Sequence, residues 1–462
     1  MSARSRLLAR LLAPADLAGL VAFRVLLGAL LLVDLARYEL AGWVDEHYLE
    51  PTFLFTYPGF GWVHPLPGPW MHVLFVALMG AALAVVVGWR HRLAAWALTV
   101  GQAYLFLLAA TRYLNHAYLL IVLTGLLACS PAHRGLSLDA RRRPELRRGW
   151  APAGAQWLLR AQLGIVYVFG GLAKIDADWL AGEPVRGWLA ARAHTAPPWI
   201  GEWLSSEAAV GLVVQGGLWF DLLVTPALLW RRTRVVAVLA SVAFHLSNAW
   251  LFSIGIFPWV MLAATTLFLE PSWPRRLPWI GSWIDARLGP WPSPAPVEPP
   301  PPPRARVWLG LAGAWLVAQV VLPLRHHLYP GDVAWTEEGH YLAWRMKLRT
   351  KDGAARFVVR APSTNETWVV DPADELTGYQ VHKMVGKPDL VLRYAHHLAE
   401  RWRSERGLEV EVRAQVNVSL NRRMRRPLVD PTVDLAKVED SLGAAAWIMP
   451  GPEDPVPGGR QR

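Results

Sequence analysis

Residues 155–179 read AQWLLRAQLGIVYVFGGLAKIDADW. From Ala155 to Ala173 the run is apolar, interrupted only by Gln156, Arg160 and Gln162. As a helix it is long enough to cross a hydrocarbon core of about 30 Å. It then meets an amine, Lys174, and two carboxylates, Asp176 and Asp178. One such run is ambiguous between a buried helix and a membrane span. Its repetition decides the fold. Comparable runs fall near 17–37, 70–89, 93–111, 113–130, 207–230, 234–251, 252–270 and 306–324. Together they predict a polytopic α-helical membrane protein of about nine spans. The first run is long and no clear small-residue cleavage site follows it, so it reads as a span rather than a signal peptide.

The composition agrees and divides the chain. Residues 1–324 carry 43 of the 83 charged side chains, and residues 325–462 carry the other 40 in less than half that length. The first part is too apolar for a soluble domain of ordinary composition. A soluble enzyme, a collagen-like chain and a disordered chain are excluded at this level. The net charge of +11 does not point to nucleic acid, because many basic residues sit in short clusters between apolar runs. One cysteine, Cys129, forbids an intrachain disulfide and a zinc–thiolate cluster. Its apolar neighbours predict a buried thiol.

Arginine and lysine placement sets the expected orientation. With a cytoplasmic N-terminus, the inner segments hold 19 such residues and the outer loops five: Arg37, Arg112, Lys174, Arg186 and Arg192. That asymmetry favours an inside N-terminus. Nine spans then place residues 325–440 outside, with 441–462 as a flexible tail. The Ala-, Arg- and Pro-rich composition suggests a bacterial inner membrane. The proline run 292–303 falls in an inner loop and reads as a semi-rigid spacer or a docking motif.

The charged third changes period. Leu342, Trp344, Met346 and Leu348 alternate with Ala343, Arg345, Lys347 and Arg349, which predicts a strand over 341–349 and a hairpin turn at Asp352-Gly353. Residues 408–420 alternate again. Residues 389–406 read as a helix stopped by Gly407. The expectation is a β-rich, α+β extracytoplasmic domain.

Ionisable groups inside spans are costly and need a reason. Asn115-His116 opens the fourth span, Lys174 closes the fifth, and His245 and Asn248 lie in the seventh. Span order brings all of them toward one outer-leaflet level. Simpler readings exist for each. Lys174 suits a snorkelling anchor, either histidine a hydrogen-bonded packing residue, and Asn115 a helix N-cap. Arg160 and Asp221 suit an internal ion pair, and Arg24 a buried anchor.

The local sequences add a resemblance. Gly170-Gly171-Leu172-Ala173-Lys174-Ile175-Asp176-Ala177-Asp178-Trp179 resembles the lysine motif of the vitamin K-dependent γ-glutamyl carboxylases. Asn115-His116-Ala117-Tyr118-Leu119 is similar to their Asn-His-x-Tyr-Leu element, and Phe244-His245-Leu246-Ser247-Asn248 to a third membrane signature. Trp335-Thr336, Gly339, Trp344-Arg345-Met346, Val418-Ser419-Leu420-Asn421-Arg422 and Asp430-Pro431-Thr432-Val433-Asp434 resemble the family's C-terminal domain. The likeness runs in order from about residue 15 to about 435. The membrane part also resembles the wider horizontally transferred transmembrane domain superfamily.

The resemblance implies an enzyme that uses a reduced vitamin K-type quinone, or menaquinol in a bacterium, with O₂ and CO₂. It implies conversion of protein glutamate to γ-carboxyglutamate beside the lipid bilayer. Lys174 matches the family's base, and a lysine serves as a base only as the neutral amine. His116 matches a histidine needed for the carboxylation half. Asn115, His245, Asn248 and Trp179 are expected to bind quinone or substrate. Two other readings remain: a quinol epoxidase without carboxylation, and a transporter or binding protein on the same scaffold. No metal site is expected.

Overall fold

The computed structural model describes residues 3–252, 254–289 and 303–456. A helix stands at each of the nine expected places. They are α1 (Ala18–Leu40), α2 (Pro69–Val87), α3 (His91–Leu108), α4 (Asn115–Cys129), α5 (Ala153–Leu172), α6 (Glu207–Leu229), α7 (Arg234–Phe252), α8 (Phe257–Thr265) and α9 (Pro303–Leu324). Five have the length and apolarity of a crossing: α1, α2, α6, α7 and the segment Ala305–Leu328 that contains most of α9. The other four are marginal for physical reasons. Asn115–Cys129 and Phe257–Phe268 are apolar but short. Arg92 and Gln102 dilute α3, as Gln156, Arg160 and Gln162 dilute α5. Nine crossings therefore do not follow from helix length and composition alone. Val76, Leu83, Val100, Val235, Val236, Leu239, Val307 and Leu311 stand exposed on the bundle, as a lipid-facing surface requires and a water-facing one disfavours.

The bundle packs by close backbone approach where the chain is small. A Cβ on Gly171 of α5 would lie 2.7 Å from the Leu222 side chain of α6. That closeness brings Asp221 within reach of the end of α5. At the opposite end, Arg24 of α1 is fully buried. It donates to the carbonyls of Ala132 (2.7 Å), Gly135 (3.1 Å), Leu136 (2.6 Å) and Val86 (3.4 Å), the buried anchor expected of it.

Beyond α9 the chain builds an antiparallel sheet. Its strands are β1 (Lys351–Ala361), β2 (Glu366–Val370), β3 (Glu411–Leu420) and β4 (Arg426–Pro427), in the order β2-β1-β3-β4. Strand β1 pairs with β3 from Lys351↔Leu420 to Arg360↔Glu411. Val412, Ala414, Val416, Val418 and Leu420 are all buried, as their period of two requires. Two helices, α10 (Gly378–Val385) and α11 (Pro388–Arg406), join this layer. Leu390, Val391, Tyr394, Leu398 and Trp402 of α11 share one core with the buried face of β3. Gly407 ends α11 at φ +63°, a left-handed cap that glycine adopts without steric cost.

Four expectations are corrected. Residues 341–349 are not a strand. They form an irregular strap in which Leu342, Trp344 and Lys347 all have positive φ. Their alternation is real but serves separate clusters: Trp344 joins the bundle core with Met346 packed on it, and Leu348 joins a cluster with Trp179. Asp352-Gly353 is not a turn, since both residues lie inside β1 opposite Ser419 and Val418. Cys129 is exposed, because it sits off the buried stripe of α4 formed by Leu120, Leu123, Leu127 and Ala128. Asn115 does not cap α4; the N-cap is Leu114, with no side-chain bond. The proline run lies outside the described residues up to residue 302. Of residues 441–462, those to 456 are described; Met449 donates to the Leu428 carbonyl (2.9 Å), and Val456 is buried.

Candidate active site

Helix α5 ends at Leu172, and the next two residues turn Lys174 back into the bundle. The Lys174 amide donates to the Gly171 carbonyl (2.9 Å), and the side chain is 9% exposed. Its Nζ donates to the Gly170 carbonyl at 3.2 Å and to Asp221 Oδ2 of α6. The amine also faces the Trp179 ring, 5.3 Å from its centroid. Trp179 is held in turn by a bond from Nε1 to the Val214 carbonyl (3.2 Å). Two of the ammonium's three donors are thus engaged by oxygen, and the third meets none among the described residues.

The carboxylates next to Lys174 in sequence do not compete for it. Asp176 caps the following turn, accepting from the amides of Asp178 (3.0 Å) and Trp179 (3.3 Å). Asp178 receives both Nη atoms of Arg423 at 2.6 Å and Asn421 Nδ2 at 2.7 Å. This fork clamps the Lys174 loop to the turn after β3. The Arg160–Asp221 pair does not form. Arg160 instead donates to the carbonyls of Leu267 (2.6 Å) and Leu269 (3.0 Å), which a helix end leaves without partners.

A second cluster lies across the strap. A cavity of about 410 Å³ is lined by Asn115 and His116 of α4, by Trp188, Ile254 and Phe257, by residues 345–351 of the strap and the start of β1, and by Lys383 and Lys387. The His116 ring stacks on Phe257 at 5.5 Å. Asn115 Oδ1 accepts from Tyr113 (2.8 Å), and its Nδ2 donates to the Arg345 carbonyl (3.2 Å). Asn115 therefore fixes the strap rather than the helix end. His245 is buried and shares a hydrogen bond of 2.8 Å with the Tyr167 hydroxyl. Its ring lies edge-on to Phe257 at 6.3 Å, so one phenyl ring touches both histidines. Asn248 is half-buried and makes no side-chain hydrogen bond among the described residues.

The structure brings Lys174 and Trp179 together, and Asn115 and His116 together, but gives no direct contact between the pairs. The strap lies between them. Met346 lines the cavity, and its Cε would lie 3.5 Å from a Cβ on Gly170. Leu348 also lines the cavity and packs in the cluster of Trp179.

The cavity's charge was not found from sequence. Arg345, Lys347, Arg349 and Lys351 line it together with Lys383 and Lys387, against one lining carboxylate, Glu337. Read as a strand, the strap would have sent Arg345 and Lys347 to solvent. A usable signal was present: cations at every second position from 345 to 351 with no acid among them. Burial disfavours ionised Glu337, but Arg349 and Lys351 outweigh it and hold its carboxyl well below the usual range. Burial draws the Lys351 amine down to about 8 against the pull of Glu337. Burial also lowers Lys383 and Lys387. Among the described residues no group of His, Cys, Asp and Glu could hold a metal ion.

No solved structure matches the chain. The family model of the HTTM domain matches residues 12–273, which contain α1 to α8. The model of the vitamin K-dependent gamma-carboxylase lumenal domain matches residues 304–454, which contain the strap, the sheet and helices α10 and α11. With the two matches following one another along a single polypeptide, the chain belongs to the vitamin K-dependent gamma-carboxylase family.

Proposed function

We propose that this protein is an integral membrane carboxylase. It couples oxygenation of a reduced vitamin K-type quinone to γ-carboxylation of glutamate in a protein or peptide, consuming O₂ and CO₂. The observation that carries the reading is Lys174, buried with one carboxylate and one indole for company. The Asp221 carboxylate, in hydrogen-bond contact, gives the ammonium somewhere to pass its proton. When Asp221 takes the proton, Lys174 becomes a neutral amine able to accept one from a quinol hydroxyl. The oxygenated quinol supplies the strong base that a carbon beside a carboxylate demands. Trp179 shields the amine from water. His116, which lines the cationic cavity, donates a hydrogen bond to the glutamate half. Asn115 holds the strap that carries Arg345, while His245 and Asn248 line the quinone's path between α7 and α8.

A cytoplasmic N-terminus, an outward-facing site and a bacterial inner membrane complete the proposal. The motive is the arginine and lysine asymmetry. Cysteine labelling at positions 10, 145 and 350 tests it, and labelling of 350 only after lysis would reverse the orientation.

The separation of Lys174 from the cavity favours one second reading, quinol epoxidation without carboxylation. A single assay divides the two. Purified protein in detergent receives reduced vitamin K, labelled CO₂ and a glutamate-rich peptide. Label in the peptide supports the carboxylase, epoxide alone supports the second reading, and neither product removes both. His116→Ala should lose label more than epoxide; equal loss of both would move His116 to the quinone half.

A further inference from the structure

The cavity beside His116 holds more positive charge than one carboxylate needs. Arg345 is 8% exposed, and its Nε is a buried donor with nothing to donate to. Its guanidinium makes no hydrogen bond or ion pair among the described residues. Asp176, Asp332 and Glu337 act on it only from beyond ion-pair distance. Lys347 rests over the rings of Trp188 and Phe252 at 5.4 and 5.1 Å. Lys383 rests over Tyr379 at 5.4 Å, and Lys387 over Tyr113 and Tyr341 at 5.8 and 5.2 Å. None of these three lysines has a carboxylate partner among the described residues. Glu337 cannot serve them, because Arg349 and Lys351 occupy both its oxygens.

A buried guanidinium without an acceptor is strongly unfavourable unless something binds it. Its planar fork fits a carboxylate through two parallel bonds, whereas a lysine ammonium acts as a point charge. A fork inside the cavity and an ammonium at its rim together suit two carboxylates rather than one. We infer that this cavity is a receptor for a malonate-type dicarboxylate, two carboxylates on one carbon, in preference to a single carboxylate. This rests on the proposed carboxylase reading, in which a glutamate side chain arrives with one carboxylate and leaves with two on its γ-carbon. The cavity then holds the product's side chain more tightly than the substrate's, and small geminal dicarboxylates compete with the peptide. Arg345 grips one carboxylate, and Lys347 the other.

The test is equilibrium binding of malonate, acetate and phosphate to the full chain in detergent at matched ionic strength, by calorimetry and thermal shift. Malonate should bind at least about tenfold more tightly than acetate, a difference of about 1.4 kcal/mol. Arg345→Gln should bring malonate to the acetate level. It should also raise the melting temperature of the unliganded protein, because it removes a buried charge that nothing pairs. Lys347→Gln, at an exposed position, should lose part of the preference without disturbing the fold. Equal binding of malonate and acetate would overturn the inference. So would phosphate binding as tightly as malonate, or a preference that survives in both variants. Peptide carboxylation on the same preparation keeps the two ideas apart. A malonate preference without label uptake would sink the carboxylase and leave the receptor, and label uptake without the preference would do the reverse.

Discussion

Arg24 and Arg345 are both buried guanidiniums, and the fold treats them in opposite ways. Arg24 sits where α1 meets the ends of α2 and α4, and four carbonyls accept from its two Nη atoms, leaving only its Nε without a partner among the described residues. Arg345 lines a cavity and meets no acceptor among the described residues. One end of the bundle is a closed joint. The other keeps cations in reserve: Arg345, Lys347, and a Lys174 amine with one donor left over. Buried charge therefore says little by itself, and the state of its partners separates a fastening from a receptor.

Five substitutions can break this contrast. The largest effect is expected at Lys174. Lys174→Arg keeps the charge but not a removable proton, so epoxide and carboxylated product should both fall by about 10²–10⁴-fold in a protein that still folds. Near-normal turnover of quinol by that variant would make Lys174 another fastening. Next comes Arg24→Met, which strands several carbonyls at about 1–3 kcal/mol each. Its thermal unfolding should show a loss of about 3 kcal/mol or more, whereas Arg345→Met should show none. Equal losses in the two variants would erase the distinction.

A smaller effect is expected at the clamp. Asp178→Asn weakens the fork from Arg423, with a loss of about 1.5–3 kcal/mol. Hydrogen exchange should speed up over residues 174–182 and 420–426, and unchanged protection there would separate the clamp from the Lys174 loop. The last expected effect, at Glu337, is a dependence on pH. Its carboxyl is depressed in the folded state, so its contribution is full above the unfolded value of about 4.3 and drains away as pH falls below it. Acid unfolding followed by circular dichroism should show that limb, and Glu337→Gln should lack it.

The sequence was legible where one period served one core. Strand β3 and helix α11 each turn a single face to a single cluster, and strict alternation in the one and a glycine stop after the other found them. The strap failed because its alternate residues feed the bundle core and the Trp179 cluster in turn, which no single period describes. The site was legible as positions and not as partners. Lys174, His116 and Asn115 stood out as polar groups at span ends, but Asp221 was assigned to Arg160. Only the close packing of α5 on α6 at Gly171, invisible in one dimension, decides which cation Asp221 meets.

Trp344 belongs to the core of the membrane bundle, yet it is synthesised after the last bundle helix. The helices must therefore insert with a slot still open between them. Their packing is finished only when the chain beyond α9 returns to fill it. Assembly of this protein is thus timed from its C-terminal side, and a ribosome stalled between α9 and the strap would leave every membrane helix made and the bundle incomplete.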